Sequence, residues 1–358
     1  MNEQRTALVV GATGLSGYNI ATVLVQNGWR VLGLSRTQRY EIDGVDHLYA
    51  DVTDQEGLNS VLADQGITHV FYSTWAMQET ELQNCEVNEA MIRSLLDVVC
   101  TTNPVEHVVL MTGLKHYLGP FEAYAKSATD TPFRESQDRV PYPNFYYNQE
   151  DALFELAEEY DYTWSVHRAH TLIGYALGNA MNMGVTLALY AAICRETGEP
   201  FVFPGSPEQY NGVTDLTDAE LLGEHALWSA TAPQARNEAF NSVNGEVFRW
   251  RQLWPEVAAL LGVEPGEYPG HPTPLEGRMD HANDVWATIV DTYDLEPHRA
   301  DELASWWHTD ADLGRPIETF ASMTKSRLMG FDGYESSIAS FARLFDRLRA
   351  DRIIPPVA

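Results

Sequence analysis

Positive charge is what this chain has least of. Lysine and arginine number 23 against 51 aspartates and glutamates, a formal charge of −28 at pH 7. A surface of that sign repels nucleic acid and anionic membranes, so neither is expected as a partner. Its plainest meaning is solubility, with adaptation to a salty cytoplasm as one setting. Cysteine is scarcer still. Cys85, Cys100 and Cys194 are odd in number, far apart and without metal-ligand spacing, so no disulfide framework and no metal site is expected. That usage suits a reducing cytoplasm. No apolar run approaches the ~20 residues of a membrane span. The first residues lead straight into a strand pattern, which leaves no room for a signal peptide.

What is present is an ordinary globular composition, 44% hydrophobic in 358 residues, enough for one large domain or a main domain with a smaller one attached. Thr6–Val10 reads as a short buried strand, and Asn19–Gln26 as a helix. Between them runs Gly11-Ala-Thr-Gly14-Leu-Ser-Gly17. A strand, three spaced glycines and a helix make the setting a dinucleotide fingerprint requires. Gly11 permits the tight turn, Gly14 lets the backbone approach a pyrophosphate, and Gly17 allows close helix–strand packing. The open N–H groups of the helix start would hold the phosphates. In so acidic a chain, the few cations near an anionic cofactor carry information.

Trp29–Ser35 reads as the second strand. Eighteen residues after Gly17, where an NAD site carries Asp or Glu for the ribose 2′-hydroxyl, stand Ser35, Arg36, Thr37, Gln38 and Arg39. With two arginines and no carboxylate, the position suits a 2′-phosphate and hence NADP(H). A third strand, His47–Asp51, ends on Asp51, Val52, Thr53 and Asp54, where the aspartate can face an adenine amino group or the cluster can cap a helix. A fourth, Thr68–Trp75, runs into Ser73 and Thr74, hydroxyls suited to nicotinamide-ribose contacts, and into Trp75, which either walls the substrate cleft or plugs the core. Asn84–Thr101 is a long helix, and it feeds a fifth strand at Val108–Met111. Just past that strand comes Lys115, at the edge where open α/β sheets bind ligands. Strand–helix alternation this regular predicts an α/β fold, a doubly wound parallel Rossmann sheet.

Asn144-Phe-Tyr-Tyr-Asn-Gln-Glu-Asp151 opens a helix to about Tyr160, and Thr163–Arg168 reads as a sixth strand. From Tyr175 the pattern changes to helices with short strands, among them a strand and turn at Phe201–Ser206. The expected division is a Rossmann domain over 1–174 and a smaller, mainly helical lid region over 175–358, with about 205–245 returning to the core. The tyrosines beside a Rossmann core suggest a short-chain dehydrogenase/reductase. The usual Tyr-x-x-x-Lys is missing, however: Glu150 stands four residues after Tyr146, and Asp151 four after Tyr147. A carboxylate there cannot do the lysine's work of lowering the tyrosine's pKa.

The departure itself points to a family. Lys115-His-Tyr-Leu-Gly-Pro-Phe121, together with Asn144-Phe-Tyr-Tyr-x-x-Glu-Asp151, closely resembles the progesterone 5β-reductase/iridoid synthase-like (PRISE) enzymes, atypical extended members of that superfamily. The resemblance runs on through Thr68–Tyr72, Asn84-Cys-Glu86, Trp164–Arg168, Tyr190–Cys194, Asn237–Asn241 and Ser322-Met-x-Lys-Ser326. It implies that Lys115 pairs with the first tyrosine of the doublet, Tyr146, a choice the spacing alone leaves open against Tyr147. It implies NADPH-dependent reduction of an activated C=C bond in an enone or enal, with hydride going to the β-carbon and the enolate oxygen held by Tyr146, tuned by Lys115. Cofactor contacts are implied at Thr13, Gly14, Leu15, Arg36, Thr37, Asp51, Val52, Thr74, Met111 and Leu172, with Ala180 and Met181 at the cofactor end of the lid. Phe121 and Trp75 would line the substrate side, and a homodimer is what the family suggests. This chain departs from the pattern in carrying Arg36-Thr37 for an arginine pair, which shifts weight to Arg39, and Ala169 after His167-Arg168. His170 and Asn179 also stand at pocket-facing positions that usually hold other residues, so small enones are the expected substrates. Two other readings stay open: a carbonyl reductase on the same core, and a non-catalytic NADPH-binding sensor.

Overall fold

The computed structural model describes residues 5–37, 39–120, 123, 130–179 and 181–357. Its backbone forms two compact units. The first comprises Met1–His170, Ala219–Ser242 and Ser322–Gly333; the second comprises Thr171–Asp218, Val243–Ala321 and Tyr334–Ala358. The sequence put the division after Gly174 and the return over about 205–245. The structure divides after His170 and returns over 219–242 and 322–333.

The first unit is built on a seven-stranded sheet: β1 (Thr6–Val10), β2 (Arg30–Ser35), β3 (Val45–Tyr49), β4 (His69–Tyr72), β5 (His107–Gly113), β6 (Thr163–Ala169) and β9 (Glu238–Ser242). Their order is β3-β2-β1-β4-β5-β6-β9, and every pairing is parallel. The apolar strands are explained by burial on both faces. Leu8, Val10, Val70, Tyr72, Val108 and Leu110 share one core with helices α2 (Gln55–Leu62), α3 (Glu81–Thr102) and α5 (Phe145–Tyr160). Their neighbours Ala7, Val9, Phe71 and Val109 point the other way, onto Ile20, Ala21 and Leu24 of α1 (Leu15–Gln26) and Ala226 of α8 (Ala219–Thr231). Each Val, Leu or Phe so buried contributes about 1.5–3 kcal/mol. Gly223 allows α8 this close to α1, since a Cβ there would stand 2.9 Å from Val23 Cγ2. Strand order reverses between β1 and β4, and the crevice beyond their carboxyl ends is where such sheets take ligands.

In the second unit, β7 (Leu172–Ile173) pairs with β8 (Thr217–Asp218), and the other regular elements among its described residues are helices joined by loops. Around α6 (Met183–Thr197) stand α7 (Pro207–Asn211), α9 (Trp250–Leu261), α10 (Ala282–Tyr293), α11 (Ala300–Leu303), α12 (Trp306–Leu313) and α13 (Ser337–Ala350). Met183–Cys194 is buried all round, as an apolar helix without a polar face must be. Phe201 and Trp254 stack in the same core, ring centroids 4.3 Å apart. The strand expected at Phe201–Ser206 reduces to one bridge, Phe201 with Pro265. Pro200 and Pro204 flank it and have no N–H to give a ladder.

Candidate active site

The glycine loop is shaped as a phosphate cradle. Gly11 has φ +81°, and a Cβ on it would lie 3.1 Å from the Ser73 carbonyl and from Thr74 Cβ. A Cβ on Gly17 would stand 2.2 Å from the Gly11 carbonyl oxygen, so only glycine lets α1 sit on the turn. Gly14 caps α1 without a side-chain bond, and the first turn carries no acidic residue. Its first-turn N–H groups and the positive end of the helix are therefore left without a side-chain acceptor or a nearby carboxylate in that turn, and these residues fit a dinucleotide. Thr13 and Leu15 are buried, and the Thr13 carbonyl accepts from the Tyr40 hydroxyl at 2.6 Å, a brace that sequence reading passed over.

The other expected cofactor residues of this unit stand along the same edge. Ser35 is buried, its Oγ donating to the Thr37 carbonyl, while Arg36, Thr37 and Arg39 are exposed. Asp51 Oδ1 accepts from the hydroxyl and the N–H of Thr53, and these bonds, with the Arg36 charge, hold its carboxyl below the usual range. Val52 is buried beside it, and Met111 is half-buried in β5. Ser73 donates twice to the Val10 carbonyl, from N–H at 3.1 Å and from Oγ at 2.8 Å, which joins the ends of β1 and β4.

The segments that carry Lys115 and Tyr146 are tied together at the end of β5. Lys115 opens α4 (Lys115–Leu118), two residues after Gly113. The cap of α5, Asn144, accepts from the Tyr146 N–H and donates Nδ2 to the Lys115 carbonyl at 2.9 Å, so one side chain ties the two segments. The tyrosines of the doublet then differ. Tyr147 is buried; its hydroxyl donates to the His116 carbonyl and accepts from the Val140 N–H at 3.0 Å, and burial pushes the phenol up. Tyr146 is half-buried, and its hydroxyl lies 3.4 Å from where a Cβ on Gly113 would be, over the strand end. The Phe145 ring lies between the groups: Lys115 Nζ is 4.4 Å from its centroid, Tyr146 packs at 4.4 Å, and Trp75 stacks on it at 5.1 Å.

Two carboxylates complete this region. Both oxygens of Glu81 accept from Lys115 Nζ, at 2.7 and 2.8 Å. Sequence reading missed Glu81 by starting the helix at Asn84. The signal was Thr80-x-x-Gln83, whose reciprocal capping box makes Glu81 the first residue of α3. Glu150, where a Tyr-x-x-x-Lys motif would put its lysine, is buried and taken up by Arg139 at 2.9 Å, His116 at 3.4 Å and Arg168 at 3.7 Å. Burial alone would raise its carboxyl, but these neighbours outweigh it and hold the group below the usual range. Arg168 also donates to Tyr117, whose hydroxyl donates to Asn241 Oδ1 at 2.6 Å.

Of the remaining expected residues, Leu172 in β7 and Met181 belong to the second unit. Phe121 and Ala180 lie outside the described residues. Among the described residues no group of three or more His, Cys, Asp or Glu could hold a metal ion. None of their helices is long and apolar enough to cross a membrane.

Residues 39–355 match the family described as a PRISE-like Rossmann-fold domain. The chain is 37% identical over 366 positions to the (S)-8-oxocitronellyl enol synthase of Nepeta racemosa, covering 99% of this chain and 94% of that protein. It is 38% identical to the 3-oxo-Delta(4,5)-steroid 5-beta-reductase of Arabidopsis thaliana, covering 98% and 94%. Among solved structures, a UDP-glucose 4-epimerase superposes with TM-score 0.70 at 16% identity over 98% of this chain and all of that one. The epimerase from Thermotoga maritima gives 0.68 at 16% over 96% and 99%. At that identity the epimerases share the fold alone, whereas the two plant proteins match end to end, so by sequence and architecture this chain belongs to the PRISE-like Rossmann-fold family.

Proposed function

We propose that this protein is an NADPH-dependent reductase of the activated C=C bond of small enones and enals. The observation that carries this reading is the arrangement at the end of β5: the Tyr146 hydroxyl over Gly113, Lys115 across the Phe145 ring, and Glu150 occupied by arginines where the usual lysine would stand. The relatives' names agree with it, one being a reductase of 3-oxo-Delta(4,5)-steroids, whose alkene is conjugated to a ketone.

When bound, the nicotinamide supplies a hydride to the β-carbon. The glycine loop would hold its diphosphate, and Arg36 with Thr37 and Arg39 a 2′-phosphate, since no carboxylate stands at the end of β2 to bind the free hydroxyl. As the C=C electrons shift toward the carbonyl, its oxygen becomes anionic. Tyr146 donates a hydrogen bond to that oxygen, and Lys115 supplies positive charge nearby; donors aimed at developing charge are the largest catalytic term in such sites. The α-carbon then takes a proton from water and the product is the saturated carbonyl compound.

Incubation with NADPH and 2-cyclohexen-1-one, with the product identified by mass spectrometry, tests the proposal. Cyclohexanone is the expected product. An allylic alcohol would make the protein a carbonyl reductase, and an unchanged panel of enones and enals with cofactor bound would make it a sensor. NADH supporting turnover with the same KM as NADPH would overturn the cofactor assignment.

A further inference from the structure

The Lys115 ammonium does not stand alone, and its partner also reaches the peptide that carries Tyr146. Glu81 Oε1 accepts from Lys115 Nζ and from the Phe145 N–H at 3.0 Å; Oε2 accepts from Nζ and from Asn84 Nδ2 at 3.0 Å. The carboxylate is thus bonded on both oxygens to the lysine, and it is 16% exposed. Phe145 is the residue before Tyr146. One side chain therefore fixes the ammonium and the start of the helix that presents the phenol. Its place is set in turn. The Thr80–Gln83 capping box fixes the end of α3, and Asn84 Oδ1 accepts from the Gln78 N–H at 2.7 Å, anchoring the loop that follows β4.

We infer that Glu81 is a positioning residue for the reaction: it holds Lys115 protonated and aligned, and keeps Lys115 and Tyr146 in register. The inference deepens the proposed function and rests on it for its catalytic part only. A lysine that must lend charge to a phenol without being lost to solvent needs such an anchor, because its four-carbon stem is flexible and its ammonium strongly hydrated. Charge-assisted bonds on both oxygens supply the anchor.

The other titratable groups around the pair are spoken for. On α3, burial pushes the Cys85 thiol up, and Asn148, with Arg93, holds the Glu89 carboxyl low. On α4, burial depresses His116. On α5, Glu150 is bound by Arg139 and Arg168, and the Tyr147 phenol is raised by burial. Arg139 itself is shared between Glu150 and Asp151.

The chain's lysine poverty makes a direct test practical, for it has three: Lys115, Lys126 and Lys325. In full-length protein labelled with 15N-lysine, three ammonium signals are followed against pH, Lys115 being assigned by its loss in Lys115→Arg. In Glu81→Gln the Lys115 signal is expected to titrate lower by about one pH unit or more. An identical titration in parent and variant overturns the inference, and this readout needs no turnover. In the active enzyme, Glu81→Gln is expected to lower kcat about 10–100-fold, with KM for NADPH unchanged and the alkaline limb of the pH profile moved down. Glu81→Asp should recover part of the loss. Placed on a Lys115→Met background, Glu81→Gln should add little, because its effect passes through the lysine. A full, additive loss there would mean a merely structural carboxylate and overturn the inference. A parent that turns over no enone sinks the functional proposal alone, and the titration still decides Glu81.

Discussion

Two clusters of ionisable groups in the first unit invite comparison. At the carboxyl edge of the sheet, Lys115 and Glu81 are charged, mutually bonded and partly exposed, with Tyr146 beside them. Beneath the sheet, histidines alternate with hydroxyls in one buried chain. Thr163 bonds His107, which bonds Ser165; Ser165 bonds Ser229, Ser229 bonds His167, and His167 reaches His225 through Ser242, each contact 2.8–3.1 Å. Neutral partners and complete burial leave those imidazoles uncharged. They resemble a catalytic relay in composition, yet they bond to one another between β5, β6, β9 and α8, with the buried Nε2 of His225 left without a partner. What distinguishes the proposed chemistry from scaffolding here is the partner: a carboxylate and a half-open phenol at the rim, serines in the core.

The sharpest way to break that contrast is inside the tyrosine doublet. Tyr146→Phe removes the proposed oxyanion donor and is expected to lower kcat by about 10²–10³-fold, with the thermal midpoint close to the parent's. Tyr147→Phe should do the reverse. It leaves the His116 carbonyl and the Val140 N–H without their hydroxyl, at a cost of about 1–3 kcal/mol in stability, while turnover stays within a few-fold. Steady-state kinetics and urea unfolding on both variants decide it. Equal kinetic losses would mean that the doublet acts as one unit, and that the two tyrosines had been wrongly separated.

Much of this arrangement is written in the sequence, and the gaps have physical causes. β1 and β5 announce themselves because both faces are buried and their residues are nearly all apolar. β9 does not: Glu238-Ala-Phe-Asn-Ser242 is the last strand in the sheet and pairs with β6 alone, so its sequence can stay polar. Lys115 is legible because it follows a buried strand. Glu81 is not, unless the capping box is used to set the helix start. Neighbours on a helix point about 100° apart, so which tyrosine of the doublet faces Gly113 depends on how α5 packs against β5. Nothing in the local sequence carries that. The fate of Glu150 depends likewise on Arg139 and Arg168, which only the fold brings to it.

The buried histidines predict an acid limit to stability. Burial depresses His69 to about 4 and His107 and His167 to about 3, and it carries His225 well below its ordinary value. In the unfolded chain each would titrate near 6.5. A histidine depressed in the folded state contributes stability that is fully present above about pH 6.5 and is lost as pH falls toward the folded value. Each such histidine steepens the loss by about 1.4 kcal/mol per pH unit within that window. Glu150 adds to the loss only below the ordinary carboxylate range. Urea midpoints should therefore fall from pH 6.5 to pH 4.5, well before the carboxylates protonate, and His167→Gln should shallow the slope by one proton. A flat profile down to pH 4.5 would show that the histidine chain is already open to solvent or charged.

Salt should have the smallest effect, and its sign is informative. With 51 acidic groups against 23 basic ones, the surface repels itself, and a net charge this far from zero works against the compact state. Raising ionic strength from about 0.05 M to about 1 M shortens the screening length from roughly 14 Å to roughly 3 Å. That relieves repulsion between distant carboxylates. It also weakens exposed pairs such as Arg93–Glu155 and Arg347–Asp351, but such pairs contribute little to begin with. Repulsion is long-ranged and summed over the whole surface, so its relief should win, and the thermal midpoint should rise by a few degrees in NaCl. The Lys115–Glu81 pair, mostly withdrawn from solvent, should barely respond, and the pH profile of turnover should keep its shape across the same range. A midpoint that falls with salt would mean that the surface pairs outweigh the repulsion. A pH profile that flattens would mean that the rim cluster is more open to solvent than its burial implies.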